Sequence, residues 1–157
     1  SETKAPGGDG APLDLAGMSS PELTDVRTEL AEALVKLADD VPASRAALGL
    51  SPKQDDEIAR NAALFTGPTL PALERYTGVL YDALDAGTLP TRLRTRLRRQ
   101  VVIFSGLWGA TLAGDPLPDH KLKMGVALPP LGRLSTWWRA PLTDALAPVR
   151  PHLAVAG

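Results

Sequence analysis

The chain has 157 residues, 44% of them apolar and 22% charged, which suits one globular domain with a core of its own. The absence of cysteine excludes disulfides, thiol redox centres, iron-sulfur clusters and thiolate metal sites, so any redox role is indirect. A net charge of -1 excludes global attraction to nucleic acid or membrane and leaves binding to local patches.

No apolar run reaches the ~18 residues of a membrane span, and no basic start precedes an apolar core and cleavage site. A soluble cytoplasmic protein is therefore expected. The chain opens without Met on Ser1-Glu2-Thr3-Lys4 and stops in the apolar run Leu153-Ala154-Val155-Ala156-Gly157, which reads as a strand cut short. An N-terminal portion of a single longer domain is expected.

From Ala5 to Leu15 the glycines and prolines predict a loop. Ser20 is the expected cap of a helix with Pro21 in its first turn. Leu23, Val26, Leu30, Leu34 and Leu37 form its apolar stripe, with Asp25, Arg27, Glu29 and Lys36 off the stripe and an end near Asp40. A short helical piece from Ala43 to Leu48 meets Gly49, and Ser51-Pro52-Lys53-Gln54 reads as a capping box opening a helix to about Leu64. Ala72 to Gly78 is expected to be extended, leading into a short helix around Tyr81 to Leu84. Thr91 caps a basic helix to Gln100, after which Val101 to Phe104 has the pattern of a buried strand. Gly114, Pro116 and Pro118 predict a loop, and Ser135 or Thr136 starts a last helix with Trp137 and Trp138, strained or restarted at Pro141. The sum is a mixed α/β (α+β) fold, rich in helix.

Two local constellations bear on nucleic acid. A helix-turn-helix over Ala43 to Leu64 places Gly49 at its bend and Lys53 and Arg60 on the second helix, an arrangement that lets backbone N–H groups and a helix N-terminus approach a phosphate. Only one bend glycine is present, however, and Asp55-Asp56-Glu57 repel phosphate, so an ordinary helical hairpin is the competing reading. On the basic helix Arg92, Arg96 and Arg99 share a face that could track phosphates, while Leu93 and Leu97 anchor it; a solvated face is the alternative.

His120 and His152 are the only histidines, and nothing joins them at metal-ligand spacing, so no metal is expected. No phosphate-binding loop, dinucleotide fingerprint or nucleophile elbow occurs, and no cofactor is expected. Ser105, after the strand, and Lys4 and Arg75-Tyr76, beside glycines, are candidates to line a cleft. The competing reading has the tyrosines packing and Lys4 in solvent. The three tryptophans read as core residues.

Phe104-Ser105-Gly106-Leu107-Trp108-Gly109, then Asp115, then His120-Lys121-Leu122-Lys123-Met124-Gly125, resembles in its order the central signature of the YaaA family. Ser1-Glu2-Thr3-Lys4, Asn61-Ala62-Ala63-Leu64-Phe65 and Gly78 to Tyr81 resemble further family segments in the same order. The resemblance implies a mixed α/β globule with a helix-hairpin-helix element that binds DNA, and a role in protection against peroxide and iron-linked DNA damage. It also implies a domain that continues beyond this chain. Thr111-Leu112 stands where the family has Leu-Arg, and His120-Lys121-Leu122-Lys123 where it has Tyr-Arg-Leu-Glu, so the scaffold is kept while polar groups differ.

Two expectations follow. The first is a peroxide-stress protein that binds DNA non-specifically through Gly49, Lys53, Arg60, Arg92, Arg96 and Arg99. The second is a divergent enzyme or small-molecule binder, for instance in a specialised biosynthetic pathway, whose cleft uses Lys4, Ser105, His120 and Lys121.

Overall fold

The leucine stripe predicted for the first helix forms α1 (Thr24–Ala38), which buries Leu30, Ala31 and Leu34. The structure is a computed structural model that describes residues 3–148; His152 and the expected strand over Leu153–Gly157 lie outside the described residues. Ser20 does not cap α1: it adopts a left-handed conformation (φ 55°) and leads into a 3-10 turn, Pro21–Leu23, that precedes the helix. Nor does Arg27 sit on a solvent face. It is fully buried.

α1 ends near Asp40 as expected, and Asp40 itself caps the next helix, accepting a hydrogen bond from Ala43 N at 2.9 Å, so α2 (Val41–Leu48) starts two residues earlier than the spacing predicts. Gly49 closes α2 at φ 66°. Ser51 N donates to Gln54 Oε1 at 3.1 Å ahead of α3 (Asp55–Ala62), as the sequence predicts. Arg45 Nε and Nη2 grip Asp55 Oδ1 and Oδ2 at 2.8 and 2.5 Å, locking α2 to the start of α3.

Among the described residues the strands form four antiparallel pairs and no parallel sheet. β1 (Thr3–Lys4) pairs with β3 (Tyr76–Thr77), and β2 (Thr69–Pro71) with β6 (Pro116–Pro118). β4 (Val102–Ser105) pairs with β5 (Gly109–Leu112), and β7 (Ala127–Leu128) with β8 (Gly132–Arg133). The segment after Pro71, expected to be extended, instead turns once as α4 (Ala72–Arg75) before β3. Pro116 and Pro118, expected in a loop, lie in a two-stranded pairing, where proline is accepted because a strand edge needs no donor.

After α5 (Val79–Leu84), the basic helix α6 (Thr91–Gln100) forms at its predicted bounds, with Pro90 rather than Thr91 at the cap position. Leu97 packs on the core, but Leu93 stays exposed and anchors nothing. β4 is not a buried strand either: Ile103 faces inward, while Val102 and Phe104 (55% exposed) face out. The last helical region splits at Trp138 into α7 (Leu134–Trp137) and α8 (Arg139–Leu146), and Pro141 sits in the first turn of α8, where a missing N–H costs nothing. Trp108 and Trp138 are core residues, as expected.

No helix among the described residues is long and apolar enough to cross a membrane.

Candidate functional site

Two buried guanidinium groups tie the loops around the site. Arg27 donates to the carbonyls of Trp108 (3.0 Å), Ser19 (2.7 Å), Ser20 (3.3 Å) and Ala110 (2.6 Å). Arg75 donates to the carbonyls of Leu117, Ala5, Gly7 and Pro68. Five fixed donors suit such work, because a planar fork satisfies several carbonyls at once. Burial pulls both pKa values below the ordinary arginine value, opposed for Arg27 by Asp115 and for Arg75 by Asp119. Arg75 is thus a structural clamp rather than a cleft-lining group.

The signature motif is explained by contact between its two halves. A side chain on Gly106 would meet Met124 N at 2.7 Å and Lys123 C at 2.8 Å, so the Ser-Gly-Leu-Trp-Gly turn lies directly on the Leu122–Met124 backbone. Gly109, at φ 70°, carries the Trp138 ring against its Cα, and Trp138 Nε1 donates to Gly106 O at 2.9 Å. Ser105 Oγ accepts from Leu107 N and Trp108 N at 3.3 and 3.4 Å; it is buried, holds this turn and is not among the residues lining the cleft that contains Lys4. Asp115 organises the following loop, taking Leu112 N at 3.0 Å and Ser19 N at 3.1 Å.

The signature's second half opens into a cleft of about 140 Å³ lined by Thr3 and Lys4 of β1, Glu57 and Arg60 of α3, and Asp119, His120 and Lys121. Of the predicted cleft residues, Lys4, His120 and Lys121 are brought together here. Arg60 joins them, although the sequence reading assigns it to the hairpin's phosphate face. It faces carboxylates: Asp56 at 2.9 Å, Glu57 at 3.3 Å and Asp119 at 3.5 Å. Lys121 Nζ lies 3.5 Å from Glu57, and Lys4 Nζ sits 5.4 Å over the Tyr76 ring. A second cleft of about 250 Å³ shares Arg60 and Asp119 and is otherwise mostly apolar, with Pro6, Ala63, Pro68 and Pro118 in its walls.

His120 is fully enclosed, edge-on to Trp108 and Tyr76 with ring centroids at 5.5 and 6.2 Å. Its Nδ1 is 2.9 Å from Pro118 O. That carbonyl can only accept, so Nδ1 carries the proton and Nε2 presents a lone pair. Burial, with Lys4 and Arg75 nearby, pushes its pKa well below the ordinary histidine value. Burial pushes the Asp119 carboxyl the other way, up, against the pull of Arg60 and Arg75. Sequence reasoning did not single out Asp119 or Glu57 for this site, because nothing local marks a lone carboxylate as cleft-facing. Among the described residues, no group of three or more histidine, aspartate or glutamate side chains is placed to hold a metal ion.

The predicted DNA-contacting residues fall in two places. Gly49 and Lys53 are exposed at the α2–α3 bend, next to the Asp55-Asp56-Glu57 first turn of α3. Arg92, Arg96 and Arg99 are exposed on α6, and Arg92 and Arg96 flank a groove of about 290 Å³ with Pro90 and Leu93.

Residues 2–154 match the family profile described as Peroxide stress protein YaaA. A UPF0246 protein of Streptomyces coelicolor is 46% identical over 147 residues, covering 93% of this chain and 56% of that protein. A UPF0246 protein of Corynebacterium efficiens is 44% identical over 153 residues, covering 95% of this chain and 60% of that protein. The chain therefore spans less than two thirds of the length of these curated relatives. With residues 2–154 matched by the profile, and Gly106 and Gly109 in contacts that leave no room for a side chain, the chain belongs to the YaaA family of peroxide stress proteins.

Proposed function

We propose that this chain serves the peroxide-stress role of its family in the cytoplasm by binding DNA non-specifically through its phosphates, and so limits iron-linked damage where that damage falls. The observation that carries the reading is α6: its sequence from Thr91 to Gln100 contains no acidic residue, and Arg92, Arg96 and Arg99 project into solvent. Arginine faces of this kind neutralise phosphates and release counterions without reading bases. The α2–α3 hairpin takes the lesser part, since Arg60 already faces three carboxylates and only Lys53 and the Gly49 bend are left to approach a phosphate.

Fluorescence anisotropy with duplex and single-stranded DNA at low and physiological salt tests the proposal. Micromolar affinity that falls steeply with salt is the expected result. Replacing Arg92, Arg96 and Arg99 together by Glu should weaken binding to every sequence alike; affinity that survives that change counts against α6 as the contact surface.

A further inference from the structure

The clefts that meet at Arg60 and Asp119 are not used by the DNA reading, and their chemistry is specific. We propose that they bind one small zwitterion, an α-amino acid with a short apolar side chain, whose ammonium group is held by Asp119 and His120 and whose carboxylate faces Lys121.

The ammonium half follows from two acceptors. Asp119 Oδ1 and His120 Nε2 belong to residues lining the same cleft, are closed off from solvent and have no hydrogen-bond partner among the described residues, so a ligand engages them through a small shift of the cleft wall. Buried acceptors left unmade are costly, and the great majority in folded proteins are satisfied. With Nδ1–H committed to Pro118 O, His120 offers only a lone pair, so the missing partner is a donor. An ammonium group carries three N–H donors and a charge that matches Asp119, whose carboxyl is held above its ordinary range by burial and would be relieved by a bound cation.

The carboxylate half follows from the other side of the cleft. Lys121 Nζ makes one long contact of 3.5 Å to Glu57 and has further N–H donors for an anion. Two carboxylates, Glu57 and Asp119, line the cleft beside three cations, Lys4, Arg60 and Lys121. That mixture disfavours a polyanion such as a phosphate ester and suits a molecule bearing both signs. The apolar half follows from the adjoining cleft, whose Pro6, Ala63, Pro68 and Pro118 surfaces offer a place for aliphatic carbons. Both clefts, at about 140 and 250 Å³, fall below the usual range for drug-sized ligands and admit only a few heavy atoms each.

Calorimetric titration and thermal-shift measurement of the full 157-residue chain with L-leucine test this, with glycine, 3-methylbutylamine and 4-methylpentanoate as partial ligands. The expected result is saturable leucine binding with a rise in Tm, and affinity lower by about tenfold or more for each compound lacking the side chain, the carboxylate or the amine. Asp119→Asn and Lys121→Ala should each weaken leucine by about tenfold, while the α6 triple glutamate variant keeps leucine affinity whether or not it has lost DNA. No saturable binding to the unaltered chain overturns the proposal, as does binding of either the amine or the acid fragment as tightly as leucine. Should Asp119→Asn not fold, Lys121→Ala decides alone, because that side chain is partly exposed and its backbone bonds remain; unchanged leucine affinity in it is equally fatal.

Discussion

Asn61 and Lys121, sixty positions apart, exchange two hydrogen bonds: Asn61 Nδ2 donates to Lys121 O at 3.0 Å, and Lys121 N donates to Asn61 Oδ1 at 2.7 Å. Asn61 is buried, so its amide acts as a surrogate strand partner that fixes Asp119, His120 and Lys121 against α3. Asn61→Ala leaves both Lys121 backbone groups without their partner and should cost about 2–4 kcal/mol in urea unfolding with little change in slope. Asn61→Asp keeps the bond from Lys121 N but sets a buried carboxylate oxygen against Lys121 O, and should cost at least as much as the alanine change.

Arg27→Lys should be nearly as damaging as Arg27→Met. The four carbonyls around Arg27 are reached by a planar fork, which an ammonium on a flexible stem cannot reproduce, and the lysine charge would remain buried. A loss of about 3 kcal/mol or more is expected by denaturant titration. A lysine variant of native stability would show that the fork geometry is unimportant.

Gly106→Ala inserts a methyl group where Met124 N and Lys123 C stand within 3 Å, and these are backbone atoms that cannot swing away. Gly109→Ala adds a positive-φ penalty to a clash with the Trp138 ring, which can shift. The expected order of destabilisation is Gly106 above Gly109, with loss of near-ultraviolet circular dichroism from Trp108 and Trp138 in the former.

The sign of one pH effect is fixed by His120. Its folded pKa lies well below the ordinary value of about 6.5, so below that pH the unfolded chain binds a proton that the folded chain refuses. Stability should therefore fall as pH drops below 6.5, with this residue contributing a slope of up to about 1.4 kcal/mol per unit, until the folded pKa is reached. Asp119 acts oppositely: its raised pKa makes the folded state hold a proton longer, so its contribution to stability declines as pH rises above 3.8. His120→Phe, which keeps the aromatic contacts to Trp108 and Tyr76, should flatten the pH dependence just below 6.5. An unchanged profile would mean that His120 titrates normally.

Local pattern alone determined α1, α3 and α6 to within a few residues, because a 3.6-residue stripe and a capping box such as Ser51 with Gln54 act over one or two turns of chain, although Ser20 and Thr91 did not cap their helices. The order of Ser-Gly-Leu-Trp-Gly, Asp115 and His-Lys-Leu-Lys-Met-Gly was enough to point to the family, and the mixed fold came with it. The burial of Arg27 and Arg75 was not legible, since an arginine off a leucine stripe reads as a solvent face until distant carbonyls converge on it. The same holds for β4, whose apolar letters mark a strand but not the number of its covered faces. Only the tertiary structure moved Ser105 out of the cleft and Asp119 into it. Which polar side chain meets which cavity is decided by contacts such as Asn61 with Lys121 and Gly106 with Met124, between segments that no local pattern relates.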